Sequence, residues 1–169
     1  MKKIAITGPE STGKSALAQK LAAHFGCAYV PEYARGYLAE LNRPYIKADV
    51  LRIAKGQLQW ETEVAEHQQD AYLFCDTDVL VCKIWQEYKY GTADTWIKKQ
   101  FAKHHYDLFL LCDIDLDWEY DEMREHPEER ETLFELYVNE LTTAGKNFKI
   151  ISGLGEERLN NAIAAVHLI

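Results

Sequence analysis

Ile4-Ala5-Ile6-Thr7-Gly8-Pro9-Glu10-Ser11-Thr12-Gly13-Lys14-Ser15 is the stretch that decides how this chain folds. From Gly8 to Ser15 it fits the pattern G-x-x-x-x-G-K-S/T. A short apolar run precedes it, and a helix-forming stretch, Ala16-Leu17-Ala18-Gln19-Lys20-Leu21-Ala22-Ala23, follows. Strand, loop and helix in that order are the context in which the motif acquires a mechanism. The glycines let the backbone curl so that successive N–H groups point inward at phosphate oxygens, and the new helix adds its positive N-terminal end. Lys14 is expected to reach the β- and γ-phosphates and to act in catalysis, and Ser15 to ligate Mg²⁺. Gly8, Pro9, Glu10, Ser11, Thr12, Gly13, Lys14, Ser15 and Ala16 are therefore the expected nucleotide-binding residues, with ATP and Mg²⁺ as cofactors.

Working outward, apolar runs alternate with helical stretches. Strands are expected at Lys3–Thr7, Cys27–Val30, Tyr72–Cys75, Leu108–Cys112 and Phe148–Ile151. Helices are expected at Ser15–Phe25, Asp49–Gln69, Val79–Tyr90, Asp94–His104 and Glu156–Leu168, with a further one opened by Pro127 at its first position. Short, fully apolar strands separated by helices predict an α/β fold, a five-stranded parallel sheet covered on both faces. The 169 residues are expected to form one P-loop domain. Ligands of such sheets gather beyond the carboxyl ends of the strands.

Bulk composition narrows the partners. A net charge of −8 argues against nucleic acid and anionic membranes, both of which call for a basic face. It leaves ATP open, because a phosphate loop works through local dipoles and a few cations. No apolar run reaches transmembrane length, and the opening apolar stretch is too short for a signal peptide. Cys27, Cys75, Cys82 and Cys112 show no C-x-x-C spacing, and Cys75 and Cys112 read as reduced, buried thiols. A cytoplasmic protein acting on a small molecule is the expectation.

The strand ends carry the remaining chemistry. Val30-Pro31-Glu32-Tyr33-Ala34-Arg35-Gly36-Tyr37 leaves the second strand as a loop with a carboxylate, a guanidinium and two phenols facing the phosphates. Glu32 is placed to accept a hydroxyl proton, with Tyr33 and Arg35 beside the substrate. Cys75-Asp76-Thr77-Asp78 ends the third strand. Asp76 is expected to serve the metal or the substrate, and Asp78 to divide its time between capping the next helix and the substrate. Asp113 ends the fourth strand as well, so the metal-binding assignment has two candidates. Asp113-x-Asp115-x-Asp117 is not a calcium loop, because Trp118 stands where glycine is needed and Arg124 where a bidentate glutamate is needed. Trp118 through Arg124 read instead as a lid, bringing Arg124 and Arg130 toward the sheet edge, where a guanidinium can stabilise a transferring phosphoryl group. The other tryptophans, and His104-His105, read as packing or surface residues.

No N/T-K-x-D guanine reader and no Leu-Ser-Gly-Gly-Gln stretch is present, and the chain is too short for a motor or a remodelling machine. A small ATP-dependent kinase remains. The phosphate loop, then Val30-Pro31-Glu32-Tyr33-Ala34-Arg35, Asp76-Thr77-Asp78, Ile84-Trp85, Tyr90-Gly91, Trp118 to Arg124 and His126-Pro127-Glu128-Glu129-Arg130 resemble, over nearly the whole chain, the ribosylnicotinamide kinase domain of the bacterial NAD-biosynthesis regulators. The resemblance implies transfer of phosphate from ATP to nicotinamide riboside. It implies Glu32 or Asp76 as the acid/base or ribose-binding carboxylate, Tyr33 and Trp118 beside the nicotinamide ring, and Arg124 and Arg130 as lid arginines. A cationic pyridinium suits aromatic faces and carboxylates. A kinase for another nucleoside or small metabolite, and an ATP-binding regulatory module with slow hydrolysis, are the alternatives. The larger regulators carry a nucleotidyltransferase domain ahead of the kinase, and often a DNA-binding one. Neither is expected here, where the phosphate loop begins after seven residues. The lid also departs from the usual Pro-Trp-x-x-Asp-Gly-x-Arg, reading Asp117-Trp118-Glu119-Tyr120-Asp121-Glu122-Met123-Arg124, and without Pro and Gly its backbone freedom differs.

Overall fold

The structure is a computed structural model and describes residues 1–119 and 128–169. Five strands, β1 (Lys2–Thr7), β2 (Tyr29–Val30), β3 (Tyr72–Asp76), β4 (Leu108–Cys112) and β5 (Phe148–Ile151), form one sheet in the order β2-β3-β1-β4-β5. Every pairing is parallel. The helices are α1 (Lys14–Phe25), α2 (Tyr33–Ala39), α3 (Lys47–His67), α4 (Val79–Tyr90), α5 (Thr95–Lys103), α6 (Arg130–Thr143) and α7 (Gly155–Val166). This is the α/β architecture of a P-loop protein, with β1 at the centre and the chain crossing to opposite sides of it.

Strand alternation assigns the two faces. Ile4, Ile6, Phe74, Leu108 and Leu110 point to one side, where Leu17, Ala18 and Leu21 of α1 and Ala162 and Val166 of α7 cover them. Ala5, Leu73, Cys75, Phe109 and Leu111 point to the other, against residues of α3 to α6 such as Ile53, Leu80, Ile97 and Leu141.

Capping explains several boundaries. Gly26 and Gly91 take left-handed conformations that end α1 and α4. Asp78 opens α4 by accepting the Val81 N–H at 3.0 Å, and Asp94 opens α5 by accepting that of Trp96 at 2.8 Å. The start of α3 is set by Asp49. Its buried carboxylate accepts the Ile46 N–H at 2.9 Å, the Tyr37 hydroxyl at 2.8 Å and guanidinium donors of Arg43 and Arg52. That moves the helix start to Lys47 rather than Asp49, and the helix ends at His67. The stretch after β2 is not a loop: it folds into α2, although Gly36 lowers its intrinsic helicity. The expected helix opening at Pro127 lies outside the described residues, and α6 is described from Arg130.

Candidate active site

The phosphate loop leaves β1 at the centre of the sheet, and the backbone shows why the residue types are needed. Gly8 has φ +133°, and a Cβ there would stand 3.0 Å from the Cys112 carbonyl. Gly13 has φ +75°, and a Cβ there would stand 2.9 Å from Leu116. Any side chain at either position meets both a disfavoured backbone conformation and a neighbour. Inside the turn, the Thr12 hydroxyl donates to the Pro9 carbonyl at 2.8 Å, and Lys14 Nζ donates to the same oxygen at 2.6 Å. The lysine is thus held folded back across the loop. From outside, the Ser11 hydroxyl accepts the Glu119 N–H at 3.0 Å, laying the segment after β4 across the loop.

Beneath the loop lies a residue that pattern reading passed over. Arg158 of α7 is buried. Its Nη2 donates to the carbonyls of Thr12 and Asp113, both at 2.9 Å, and its Nη1 donates to the Gly153 carbonyl at 3.0 Å and to Asp115 Oδ1 at 2.5 Å. One guanidinium therefore ties the phosphate loop to the segments that follow β4 and β5.

A cavity of about 550 Å³ opens from the loop toward α2 and α4. Gly8 through Ala16 line one end. Glu32, Arg35, Gln57 and Asp76 form a polar middle, and Leu38, Ile53, Val81, Ile84, Trp85, Tyr88, Leu133 and Tyr137 make an apolar and aromatic far wall. Such a mixture, mostly apolar with a few convergent polar groups, is typical of small-molecule sites. Val81, Trp85 and Tyr88 are spaced i, i+4, i+7 along α4 and share one face, a pattern legible in the sequence. Trp85 is fixed from behind, its Nε1 donating to the Tyr45 hydroxyl at 2.9 Å.

Two carboxylates meet in the polar middle. Glu32 is the N-cap residue of α2. Asp76 ends β3 and is nearly buried, and its Oδ1 has no hydrogen-bond partner among the described residues. Burial pushes the Asp76 carboxyl up to about 6 and nearby Glu32 adds to the rise, against a hydrogen bond from Ser15 and the positive charges of Lys14 and Arg35. A divalent cation fits this donor set: an unpartnered carboxylate oxygen and the loop serine would supply two ligands of a magnesium shell that phosphate and water complete. No group of three or more His, Cys, Asp or Glu is arranged to hold a metal among the described residues, and a magnesium held jointly with phosphates requires none. Thr77 separates Asp76 from Asp78 with φ +69°, a strained conformation for a β-branched residue. The kink leaves Asp76 lining the cavity and Asp78 in the interior as a helix cap, where burial pushes its carboxyl up to about 7.

Several expected site residues sit elsewhere. Tyr33 does not line the cavity: its ring is pressed on Gly56 and lies edge-on to Trp60 at 4.7 Å, because α2 turns it toward α3. Asp78 does not line it either: its Oδ1 caps α4, and its Oδ2 is buried without a hydrogen-bond partner among the described residues. Arg130 is buried, with Nη2 donating to the carbonyls of Ile114 at 2.9 Å and Leu116 at 2.7 Å, so its charge braces the segment after β4 rather than facing a nucleotide. Trp118 is not among the lining residues, and Arg124 lies outside the described residues. Asp113 accepts the Ile114 N–H and Asp115 pairs with Arg158, which leaves Asp76 as the strand-end aspartate on the cavity.

With this geometry in hand, comparison with known proteins is informative. A family profile described as an AAA domain matches residues 3–158. The chain belongs to that family. No curated protein matches it in sequence. Among solved structures it is similar to the NadR protein in complex with NR, at 24% identity and a TM-score of 0.83, covering 99% of this chain and 51% of that one. It is also similar to the NadR protein in complex with NAD and AMP-PNP, at 23% identity and a TM-score of 0.78, covering 99% and 49%. Deoxyadenosine kinase from M. mycoides superposes at 14% identity and a TM-score of 0.67, covering 99% and 100%. The chain spans about half the length of the NadR structures. Identities this low establish the fold, which is that of P-loop kinases. No helix among the described residues is long and apolar enough to cross a membrane.

Proposed function

We propose that the protein is an ATP- and Mg²⁺-dependent kinase that converts nicotinamide riboside to nicotinamide mononucleotide in the cytoplasm. The single observation that carries this reading is the cavity. It is continuous from the phosphate loop, past Glu32 and Asp76, to an aromatic wall of Trp85, Tyr88 and Tyr137. A donor site and an acceptor site thus share one space, with carboxylates between them. The similarity to NadR in complex with NR supports the choice of acceptor, as do aromatic faces and acidic groups suited to a cationic ring.

In this reading Ser15 and Asp76 hold the magnesium ion, which neutralises charge on the phosphates when bound. Lys14 exchanges the Pro9 carbonyl for the β- and γ-phosphates, and the loop N–H groups orient them. Glu32 takes the proton of the acceptor hydroxyl as its oxygen bonds to the γ-phosphorus and the bond to the β–γ bridging oxygen breaks. ADP leaves with the bridging oxygen, and the proton stays on Glu32 until solvent removes it. Arg35, beside the same carboxylates, is placed to steady the anionic product.

The test is ADP release from ATP-Mg with nicotinamide riboside, deoxyadenosine, thymidine or no acceptor. Stimulation by nicotinamide riboside well above the others is expected. Stimulation by another nucleoside alone would replace the acceptor, and slow hydrolysis indifferent to every acceptor would make the protein a regulatory ATP-binding module.

A further inference from the structure

Glu32 sits on a weakly anchored piece of backbone. The strand before it, β2, is two residues long and lies at the sheet edge, and Glu32 makes no side-chain cap bond to α2. Its Oε2 lies 3.9 Å from Arg35 Nε, a contact within the same turn that leaves the position of the helix start itself to be fixed from elsewhere. Two adjacent residues of α3 meet that need by different means. The Gln57 side chain is almost fully buried, and its Oε1 accepts the Tyr33 N–H, the first backbone donor after Glu32, at 2.9 Å. Its Nε2 donates to the backbone carbonyl of Asp76 at 3.4 Å. Gly56 supplies the floor for the Tyr33 ring, so close that a Cβ there would lie 2.3 Å from the ring carbons. Trp60, one turn further along α3, closes the edge of the same ring at a centroid distance of 4.7 Å.

We infer that Gly56 and Gln57 form a dock that sets the reach of Glu32 toward Asp76, with Gln57 as a positioning residue for the proposed reaction. The chemistry of the side chain fits the task. A primary amide is neutral and can accept from an N–H and donate to a carbonyl from a single rigid plane. Here the N–H belongs to the residue beside one carboxylate and the carbonyl to the residue bearing the other. Both bonds are to main chain, so Gln57 spaces the two segments without consuming either carboxylate. Misplacement by an ångström of a group that acts only in the transition state lowers turnover far more than ground-state binding. The ring-on-glycine contact makes the same demand independently: α2 must enter with Tyr33 turned toward α3, which directs its neighbour Glu32 to the cavity.

The catalytic part of the inference rests on the proposed kinase reading; the dock itself does not. The experiment compares wild type with Gln57→Met, Gln57→Glu and Gly56→Ala. Gln57→Met keeps the length and loses both bonds, Gln57→Glu keeps the acceptor for Tyr33, and Gly56→Ala displaces the ring without touching the amide. Three quantities are read for each: hydrogen exchange at the Tyr33 amide, thermal stability, and kcat and KM for ATP and nicotinamide riboside. Gln57→Met is expected to speed Tyr33 exchange at least tenfold and to lower kcat at least tenfold, with KM for ATP within twofold of wild type. Gln57→Glu should restore most of the Tyr33 protection and part of kcat, and Gly56→Ala should repeat the kcat loss. Unchanged Tyr33 exchange in Gln57→Met overturns the dock. Loss of protection with kcat unchanged, or with kcat and ATP affinity falling together in step with stability, overturns the positioning role. If wild type does not turn over nicotinamide riboside, the proposed function and the catalytic consequence fall together, while Tyr33 exchange still decides the dock.

Discussion

Replacing Arg158 by methionine tests whether the phosphate loop is held from below. Methionine keeps the aliphatic stem and removes the guanidinium, which makes four hydrogen bonds: to the Thr12, Asp113 and Gly153 carbonyls and to Asp115. The Asp115 side chain is 30% exposed, so it rehydrates in part and does not add the full cost of an orphaned buried charge. Gly153 also keeps its own N–H on Asp115 at 2.6 Å. The Thr12 carbonyl has no such recourse, because that bond is buried. Breaking a buried charged pair by removing one partner costs about 3–5 kcal/mol, and the residual solvation of Asp115 favours the lower end. At roughly 2–4 °C per kcal/mol for a chain of this size, the midpoint of thermal unfolding should fall by about 10 °C. Circular dichroism melts of wild type, Arg158→Met and Asp115→Asn measure this, and the double variant isolates the pairwise term. KM for ATP should rise in Arg158→Met, since Thr12 belongs to the loop. A midpoint within about 3 °C of wild type would refute the bracing role.

Lys14→Ala should lower phosphoryl transfer by roughly 10²-fold or more while leaving the melt nearly unchanged, because the Lys14 bond to the Pro9 carbonyl is only partly buried. Steady-state kinetics beside a melt checks both halves. Glu32→Gln should lower kcat by about 10²–10⁴-fold with little change in ATP-Mg affinity, whereas Asp76→Asn should raise the Mg²⁺ concentration needed for half-maximal rate. The reverse pattern in a Mg²⁺ titration exchanges the two roles. Asp49→Asn should lower stability at neutral pH, and the deficit should shrink in acid. Its carboxyl is held well below the usual range, first by Arg43 and then by the Ile46 N–H, Tyr37 and Arg52. A depressed carboxyl contributes stability above about pH 4, its unfolded value, and loses it as pH falls toward the folded value. Melts at pH 7 and pH 3 should show the gap narrowing.

All five strands were readable as short apolar runs bounded by helical stretches, and the phosphate loop followed from its motif and context. The α2 helix was not. Its sequence carries Pro31 before it and Gly36 within it, and its helicity depends on a distant acceptor in Gln57 and on the Gly56 floor. Local propensity contains neither. The same contact explains why Tyr33 reads as a substrate neighbour and is found packed against α3. Arg130 and Arg158 show a second limit: Arg130 reads as a lid arginine, and nothing in the pattern marks Arg158. Their buried partners are backbone carbonyls, a residue-independent feature that leaves no trace in the pattern. The aromatic face of α4 was open to reading from its spacing, yet Trp85 looks like packing until the cavity beside it is known.

The central position of β1 has a consequence for how such a protein acquires a new acceptor. The segment from Ala28 to Asp107 supplies the edge β2-β3 side of the sheet, and with it every cavity residue from Tyr29 to Tyr88. Both of its ends lie at the starts of strands, away from the cavity mouth. There Ala28 is held from within the same stretch by Asp70, and Asp107 is tied to Lys3 of β1 by a pair of hydrogen bonds. Apart from Leu133 and Tyr137, a continuous stretch of coding sequence therefore carries the wall of the proposed acceptor site, joined to the phosphate loop and α1 at two seams far from the cavity. Exchange of that stretch between relatives by recombination would transplant substrate preference as a block, leaving α1, α7 and the phosphate loop as an unaltered chassis.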